Sequence, residues 1–307
     1  MKMFQISDKI DNVSRIGIGC MRITGLSDEK AVRSLIEGAL ECGINFFDHA
    51  DIYGGGACEE RFSRGFQEIS AAREQVILQS KCGICPEVMY DFSEEHILRS
   101  VDGILKRLNT EYLDILILHR PDALIEPEEV AAAFDKLEYS GKVKFFGVSN
   151  HKPSQIELLK KYVKQDILAD QLQFSIPFSN MVANGLEVNM LTDGAADRDG
   201  SILDYCRLND MTIQAWSPFQ AGNGKGIFIN SDEYSELNRV LEELSGKYGV
   251  SKTTIASAWI LRHPAKIQLI AGTMDSSRLE EIAKAAEITL TREEWYRLYR
   301  AAGHILP

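Results

Sequence analysis

The run Asp114-Ile115-Leu116-Ile117-Leu118-His119 decides the fold. Large aliphatic residues in succession, with no polar alternation, predict a strand covered on both faces, the habit of parallel sheets packed under helices. Thr212-Ile213-Gln214-Ala215-Trp216 has the same character. Similar short segments recur along the chain, at Arg15–Gly19, Ile44–Asp48, Gln75–Ser80, Leu113–Leu118, Lys144–Val148, Ala169–Gln173, Thr212–Trp216 and Lys266–Ile270. Amphipathic stretches separate them. Ser27–Cys42 stops at Gly43, and Ser93–Leu108 places Ile97, Val101, Ile104, Leu105 and Leu108 on one stripe. Glu126–Ser140, Pro153–Val163, Ser231–Tyr248 and Thr253–His263 follow, and Ser276–Glu287 and Thr291–Ala302 come after the last strand. Eight strands alternating with helices, and no linker-like stretch, predict one α/β domain over residues 1–307: a (β/α)8 TIM barrel with an extra C-terminal helix. An open doubly wound sheet would carry G-x-G-x-x-G after its first strand, whereas Gly17-Ile18-Gly19 runs into Cys20, Met21 and Arg22.

The chain has 307 residues, with 34 Lys plus Arg against 45 Asp plus Glu, a formal charge of −11. That balance argues against a nucleic-acid partner, which calls for a basic face. No run of about 18 apolar residues offers a membrane span. MKMFQISDKI carries polar residues where a signal peptide would place its apolar core. The six cysteines are scattered through a chain too long to need stapling, so reduced thiols and a cytoplasmic location are expected. Cys82 and Cys85 form a C-x-x-C, but no second pair completes a zinc site, and His151 stands far in sequence from other good ligands. No metal is expected. No heptad marks an interface, so a monomer is the default.

In a barrel, polar residues at the carboxyl ends of strands are the ones to weigh for chemistry. The second strand runs out through Asp48-His49-Ala50-Asp51-Ile52-Tyr53-Gly54, the third through Ser80-Lys81 and the fourth through Leu118-His119. Each residue alone has a plainer role as a turn, rim or surface group. Together a carboxylate, a phenol, an ammonium and an imidazole at successive strand ends would converge on one mouth. Tyrosine ordinarily titrates near 10; a Lys81 cation beside Tyr53 is expected to lower that value and make the phenol a usable general acid. Asp48 would hold the ammonium in place, and His119 would hydrogen-bond and orient a substrate oxygen. A proton donor poised over a carbonyl oxygen suits carbonyl reduction when a hydride donor lies alongside.

The order G-I-N-F-F-D-H-A-D-I-Y-G, Q-S-K-C-G, I-L-H-R-P-D and G-V-S-N resembles the aldo-keto reductase superfamily, from Gly17 to the last helix. H-A-D-I-Y-G-G, S-K-C-G-I, H-R-P-D and A-W-S are most like the bacterial YdhF-type oxidoreductase branch. The resemblance implies an NADPH-dependent barrel enzyme with a tetrad of Asp48, Tyr53, Lys81 and His119, and Tyr53 as general acid. It places the nicotinamide carboxamide against Ser149, Asn150 and Gln171, the ring against Trp216, and the pyrophosphate along Ser217, Phe219 and the loop beginning at Gly222. It sets Arg278 and Thr273 at the adenosine 2′-phosphate and Glu281 at the adenine. Two positions depart from the pattern: Gly272 stands where many relatives have lysine, and Ile282 where they have asparagine. Loss of the lysine opens the site to NADH as well as NADPH.

The substrate pocket is expected among Met21, Ile52, Cys82, Arg120, Pro177, Phe178 and Trp216, partly apolar with an aromatic wall. Arg120 suits an anionic substrate unless its neighbour Asp122 neutralises it. The expected activity is NAD(P)H-dependent reduction of an aldehyde or ketone to an alcohol. Two rivals share the scaffold: a non-catalytic NADPH-binding redox sensor or regulatory subunit, and a phosphate-handling barrel isomerase or lyase.

Overall fold

Eight parallel strands close into a barrel in a computed structural model that describes residues 3–306. The chain opens with an antiparallel hairpin of β1 (Met3–Ile6) and β2 (Ile10–Ser14). The barrel strands are β3 (Ile16–Gly19), β4 (Phe46–Asp48), β5 (Ile77–Cys82), β8 (Leu113–Leu118), β9 (Val143–Ser149), β10 (Ile167–Gln173), β11 (Thr212–Trp216) and β12 (Gln268–Ala271), with β12 returning to pair with β3. A small hairpin, β6 (Ile84–Cys85) and β7 (Met89–Tyr90), stands on the lip after β5. The helices are α1 (Glu29–Glu41), α2 (Ala57–Phe66), α3 (Glu94–Leu108), α4 (Pro127–Tyr139), α5 (Pro153–Lys160), α6 (Asn180–Leu186), α7 (Ile202–Leu208), α8 (Ser235–Tyr248), α9 (Lys252–Arg262), α10 (Ser276–Lys284) and α11 (Arg292–Ala301).

All eight expected strands lie in the barrel, with ends displaced by a few residues. The two hairpins and helices α2, α6 and α7 lie outside the expected elements. The hairpin β1–β2 has a clear physical task. Its Ile6, Ile10 and Val13 pack with Phe46, Ile115, Ile117, Leu168 and Ile270, an apolar cluster that closes the amino-terminal end of the barrel and continues up β8 and β12. Beside this cluster the interior turns polar. Gln79 Nε2 donates to Asp48 Oδ1 at 2.7 Å and to Gln214 Oε1 at 2.8 Å, and Gln214 Nε2 donates to Gln79 Oε1 and Gln268 Oε1, both at 3.0 Å. Gln268 Nε2 donates to the Ser14 carbonyl at 2.9 Å. A buried amide layer of this kind is stable because its members satisfy one another, and it fixes the strand register below the mouth.

Capping follows simple chemistry. Asp28, Ser93, Ser251 and Thr291 accept amides in the first turns of α1, α3, α9 and α11. The last helix is tied to the barrel shell by two indoles. Trp259 and Trp295 stack at 4.7 Å, and each Nε1 donates to the other residue's carbonyl at 3.0 Å. Among the described residues no helix is long and apolar enough to cross a membrane.

Truncating Trp295 removes a buried ring, a stack and two reciprocal hydrogen bonds. Trp295→Ala is expected to lose about 3–5 kcal/mol, read as a lower urea midpoint; a midpoint equal to wild type would show that α11 contributes no shell stability.

Candidate active site

Asp48 is the last residue of β4, Lys81 lies within β5, and His119 directly follows β8. Tyr53 opens a 3-10 turn over Tyr53–Gly56, where Gly54, Gly55 and Gly56 all take positive φ. The polypeptide thus turns back sharply after β4, and the phenol swings over the mouth. Lys81 is fully buried, and its Nζ has three oxygen partners: Asp48 Oδ2 at 2.8 Å, the His49 carbonyl at 2.7 Å and Tyr53 OH at 3.1 Å. The Tyr53 and His119 rings meet edge-on at 6.0 Å.

The electrostatics correct one expectation. Burial raises the Tyr53 phenol above its ordinary value and outweighs the lowering by Lys81, so the hydroxyl keeps its proton. Burial alone would lower the Lys81 ammonium, but the Asp48 carboxylate, with the hydrogen bonds to Asp48 and to the Tyr53 hydroxyl, prevails and holds it protonated. His119 is pushed down to about 2 by burial, then by Lys81 and Arg120, and is therefore a neutral imidazole.

An open cavity of about 400 Å³ sits over these groups. Its wall includes Asp48, Tyr53 and His119, and most of the other residues singled out from sequence: Ser149, Asn150, Gln171, Trp216, Ser217, Phe219, Gly272, Thr273, Arg278, Met21, Ile52 and Arg120. Lys81 lies beneath it, and five others, Cys82, Pro177, Phe178, Gly222 and Glu281, stand outside it. Cys82 is fully buried in the shell core, which withdraws it from the substrate wall. Phe178 backs the loop at Gly222 instead of facing the cavity. Gly222 takes φ +79°, and a Cβ there would lie 2.1 Å from the Phe178 ring, so this glycine is required by close packing. Glu281 lies farther along α10 than Arg278 and is not in the wall. Sequence reasoning passed over Arg22, Pro218, Gln220, Ile227 and Ile270, which do line it.

Gln171 links the cavity to the barrel interior. Its Nε2 donates to Asp48 Oδ1 and Gln214 Oε1, both at 3.2 Å, while its backbone carbonyl accepts from Ser149 Oγ at 2.9 Å. Asn150 Nδ2 donates to Ser149 Oγ at 2.7 Å from a left-handed backbone, φ +59°. Behind this turn lies Asp170, fully buried, whose carboxyl is pushed up to about 8 by burial against the pull of the His151 and Asn150 amides. A second buried group braces the Tyr53 turn from outside. Glu59 accepts from Ser80 Oγ and Arg107 Nε, both at 2.7 Å, and the Arg107 side chain packs against Gly56. Asp51 beside it is pushed up to about 7 by burial and by Glu59. Glu59 was invisible in the sequence because it reads as one more surface charge after a glycine turn.

One group among the described residues, Cys85, Asp91 and His96, brings three metal-ligating residue types within 4.8 Å of one another. The His96 ring nitrogens already face Arg99 and Ser100 at 3.3 Å, and Asp91 accepts the Ser93 amide. All six cysteines are free thiols.

A closed parallel barrel with Asp, Lys, Tyr and His converging at its carboxyl mouth has the layout of a carbonyl oxidoreductase. The chain belongs to the aldo/keto reductase family, whose model matches residues 15–302. It is 34% identical to the Bacillus subtilis oxidoreductase YcsN over 100% of both chains, and 34% identical to Escherichia coli oxidoreductase YdhF over 89% of this chain and 88% of that one. It is 33% identical to an Agrobacterium fabrum 6-dehydroglucose reductase over 98% of both. Among solved structures, a thermostable aldo-keto reductase, Tm1743, solved with the inhibitor epalrestat, shares 26% identity with a TM-score of 0.78 over 98% of this chain and 100% of that one. The YcsN and YdhF matches agree with the YdhF-type branch, and the chain is an NAD(P)H-dependent carbonyl oxidoreductase.

Because folded Asp170 holds its proton to a higher pH than the unfolded chain does, its contribution to stability is full below about pH 4 and is lost as pH rises to about 8. Asp170→Asn should match wild type in Tm near pH 4–5 and exceed it at pH 9. A Tm difference that stays flat across that range would refute the assignment.

Proposed function

We propose that the protein reduces an aldehyde or ketone to an alcohol with NADPH, with Tyr53 as the general acid. The arrangement of Tyr53 OH at 3.1 Å from a fully buried, protonated Lys81 is the observation that carries this reading. Bound NADPH supplies a hydride from nicotinamide C4 to the carbonyl carbon. The chain's own groups supply the rest. His119, neutral, offers one N–H to the carbonyl oxygen and orients it toward Tyr53. As negative charge grows on that oxygen, Tyr53 gives it the phenolic proton, and the phenolate left behind is stabilised by the adjacent ammonium. Asp48 holds the ammonium in place, and solvent restores the tyrosine proton afterwards.

The wall suits a dinucleotide. Gln171 Nε2 is engaged below, which leaves its Oε1 to accept a carboxamide N–H, with Ser149 and Asn150 beside it. Trp216 would stack on the ring, and its Nε1 is buried without a partner among the described residues. Ser217, Phe219 and the loop from Gly222 would flank the pyrophosphate. Among the described residues Arg278 forms no ion pair within 4.0 Å, and with Thr273 it would take the 2′-phosphate at the first turn of α10. Glu281 is left to the outer edge of the adenine. The six free thiols suit a reducing cytoplasm.

Tyr53→Phe should lower kcat for a small aldehyde about 10²–10⁴-fold while NADPH still quenches tryptophan fluorescence. Turnover at the wild-type rate would remove Tyr53 from its role, and binding without turnover of any carbonyl by wild type would favour the sensor reading. Arg278→Ala should raise the Kd for NADPH by about tenfold or more and leave that for NADH nearly unchanged; equal losses for both would place the arginine elsewhere.

A further inference from the structure

Arg120 is the residue that the proposed reaction leaves unexplained. It follows His119 directly, is half-buried, and lines the cavity at its catalytic end. Among the described residues it makes no ion pair within 4.0 Å and no hydrogen bond. Its sequence neighbour Asp122 does not neutralise it. Asp122 Oδ1 accepts the Leu124 amide at 2.8 Å and Oδ2 accepts the Phe92 amide at 3.0 Å, so both oxygens build the loop. Asp48, the one carboxylate in the cavity wall, is held by Lys81, Gln79 and Gln171. The guanidinium instead lies 6.0 Å from the Trp216 ring centroid, and its charge is felt by the His119 imidazole. A half-buried arginine in a concave wall, with no counter-charge within 4.0 Å among the described residues, is suited to receive an anion. Its planar fork favours a carboxylate, which it can hold by two parallel hydrogen bonds. Met21, Ile52 and Ile227 give the rest of that end an apolar lining.

We infer that Arg120 is a substrate-specificity residue and that the carbonyl substrate carries a carboxylate, joined to the reacting carbon by a short apolar body. This rests on the reductase reading above. A carboxylate seated on Arg120 would leave the carbonyl free to reach Tyr53 and His119, so charge recognition and proton delivery use separate groups.

A matched pair of aldehydes tests the idea: 4-formylbenzoate and its methyl ester, which share a shape and differ in charge, the ester being the more electrophilic aldehyde, so that a preference for the acid runs against intrinsic reactivity. With wild type and NADPH, kcat/KM for the acid should exceed that for the ester by at least about tenfold, chiefly through KM. In Arg120→Met the acid-to-ester ratio should fall toward one, and in Arg120→Lys it should be intermediate. The ratio is independent of how much of each preparation is folded. Equal constants for acid and ester in wild type, or an unchanged ratio in Arg120→Met, would overturn the assignment. Binding of the same two compounds to NADP-loaded protein, followed by tryptophan fluorescence, separates the two layers. Tight, Arg120-dependent binding of the acid without turnover would sink the reductase reading and leave the carboxylate site standing. Turnover of both compounds without discrimination would do the reverse.

Discussion

A lysine ammonium with no solvent contact is the constraint on which the rest of this structure depends. Taking a charge out of water costs several kcal/mol unless fixed oxygens replace the lost hydration. Asp48, the His49 carbonyl and Tyr53 OH supply those oxygens. Each comes from the end of β4 or the turn after it, so this one cation dictates the path by which the chain leaves the strand. Removing any partner would leave the ammonium short, which ties stability to the same geometry that the chemistry needs.

The consequences run downward and outward. Asp48 is shared with Gln79 and Gln171, and these join Gln214 and Gln268 in the buried amide layer. Against the layer packs the aliphatic cluster that the N-terminal hairpin closes. The barrel interior therefore combines an apolar cluster, an amide layer and a charged mouth. The overall charge of −11 hardly enters. What an anionic cofactor or substrate would meet is a wall whose guanidiniums, Arg22, Arg120 and Arg278, outnumber its one carboxylate, and that carboxylate is already engaged.

The strands and the four groups at the mouth were legible because both obey local rules: apolar runs covered on two faces, and polar residues at carboxyl strand ends. What escaped depends on tertiary partners. The hairpin β1–β2 is short and rich in polar residues, and only the open end of a barrel gives Ile6, Ile10 and Val13 something to cover. Helix α2 follows three glycines and carries Glu59 and Glu60, so nothing in its pattern reveals that Glu59 turns inward to Ser80 and Arg107. Cys82 and Phe178 were misplaced for the opposite reason. Cys82 stands beside Lys81 and Phe178 lies in the loop after β10, but one points into the shell and the other onto Gly222, directions set by strand register and loop path.

The phenol carries the most instructive disagreement. A cation next to tyrosine was expected to pull its pKa down, yet enclosure pushes it up further than the cation lowers it. In the reaction proposed above, these two effects would act at different moments. Burial penalises the phenolate while no negative charge is needed, so Tyr53 would wait as a protonated donor. A carbonyl oxygen taking on charge over the same wall would face similar desolvation and compete for the proton on more equal terms. Lys81 would then stabilise the tyrosinate with little reorganisation, since its position is already fixed by Asp48 and the His49 carbonyl. A lysine at the surface could lower the phenol's pKa in the resting state, but it would be screened and mobile at the step where its charge matters. The buried pair gives up an easily ionised tyrosine and gains a donor whose conjugate base is stabilised only as the proton leaves.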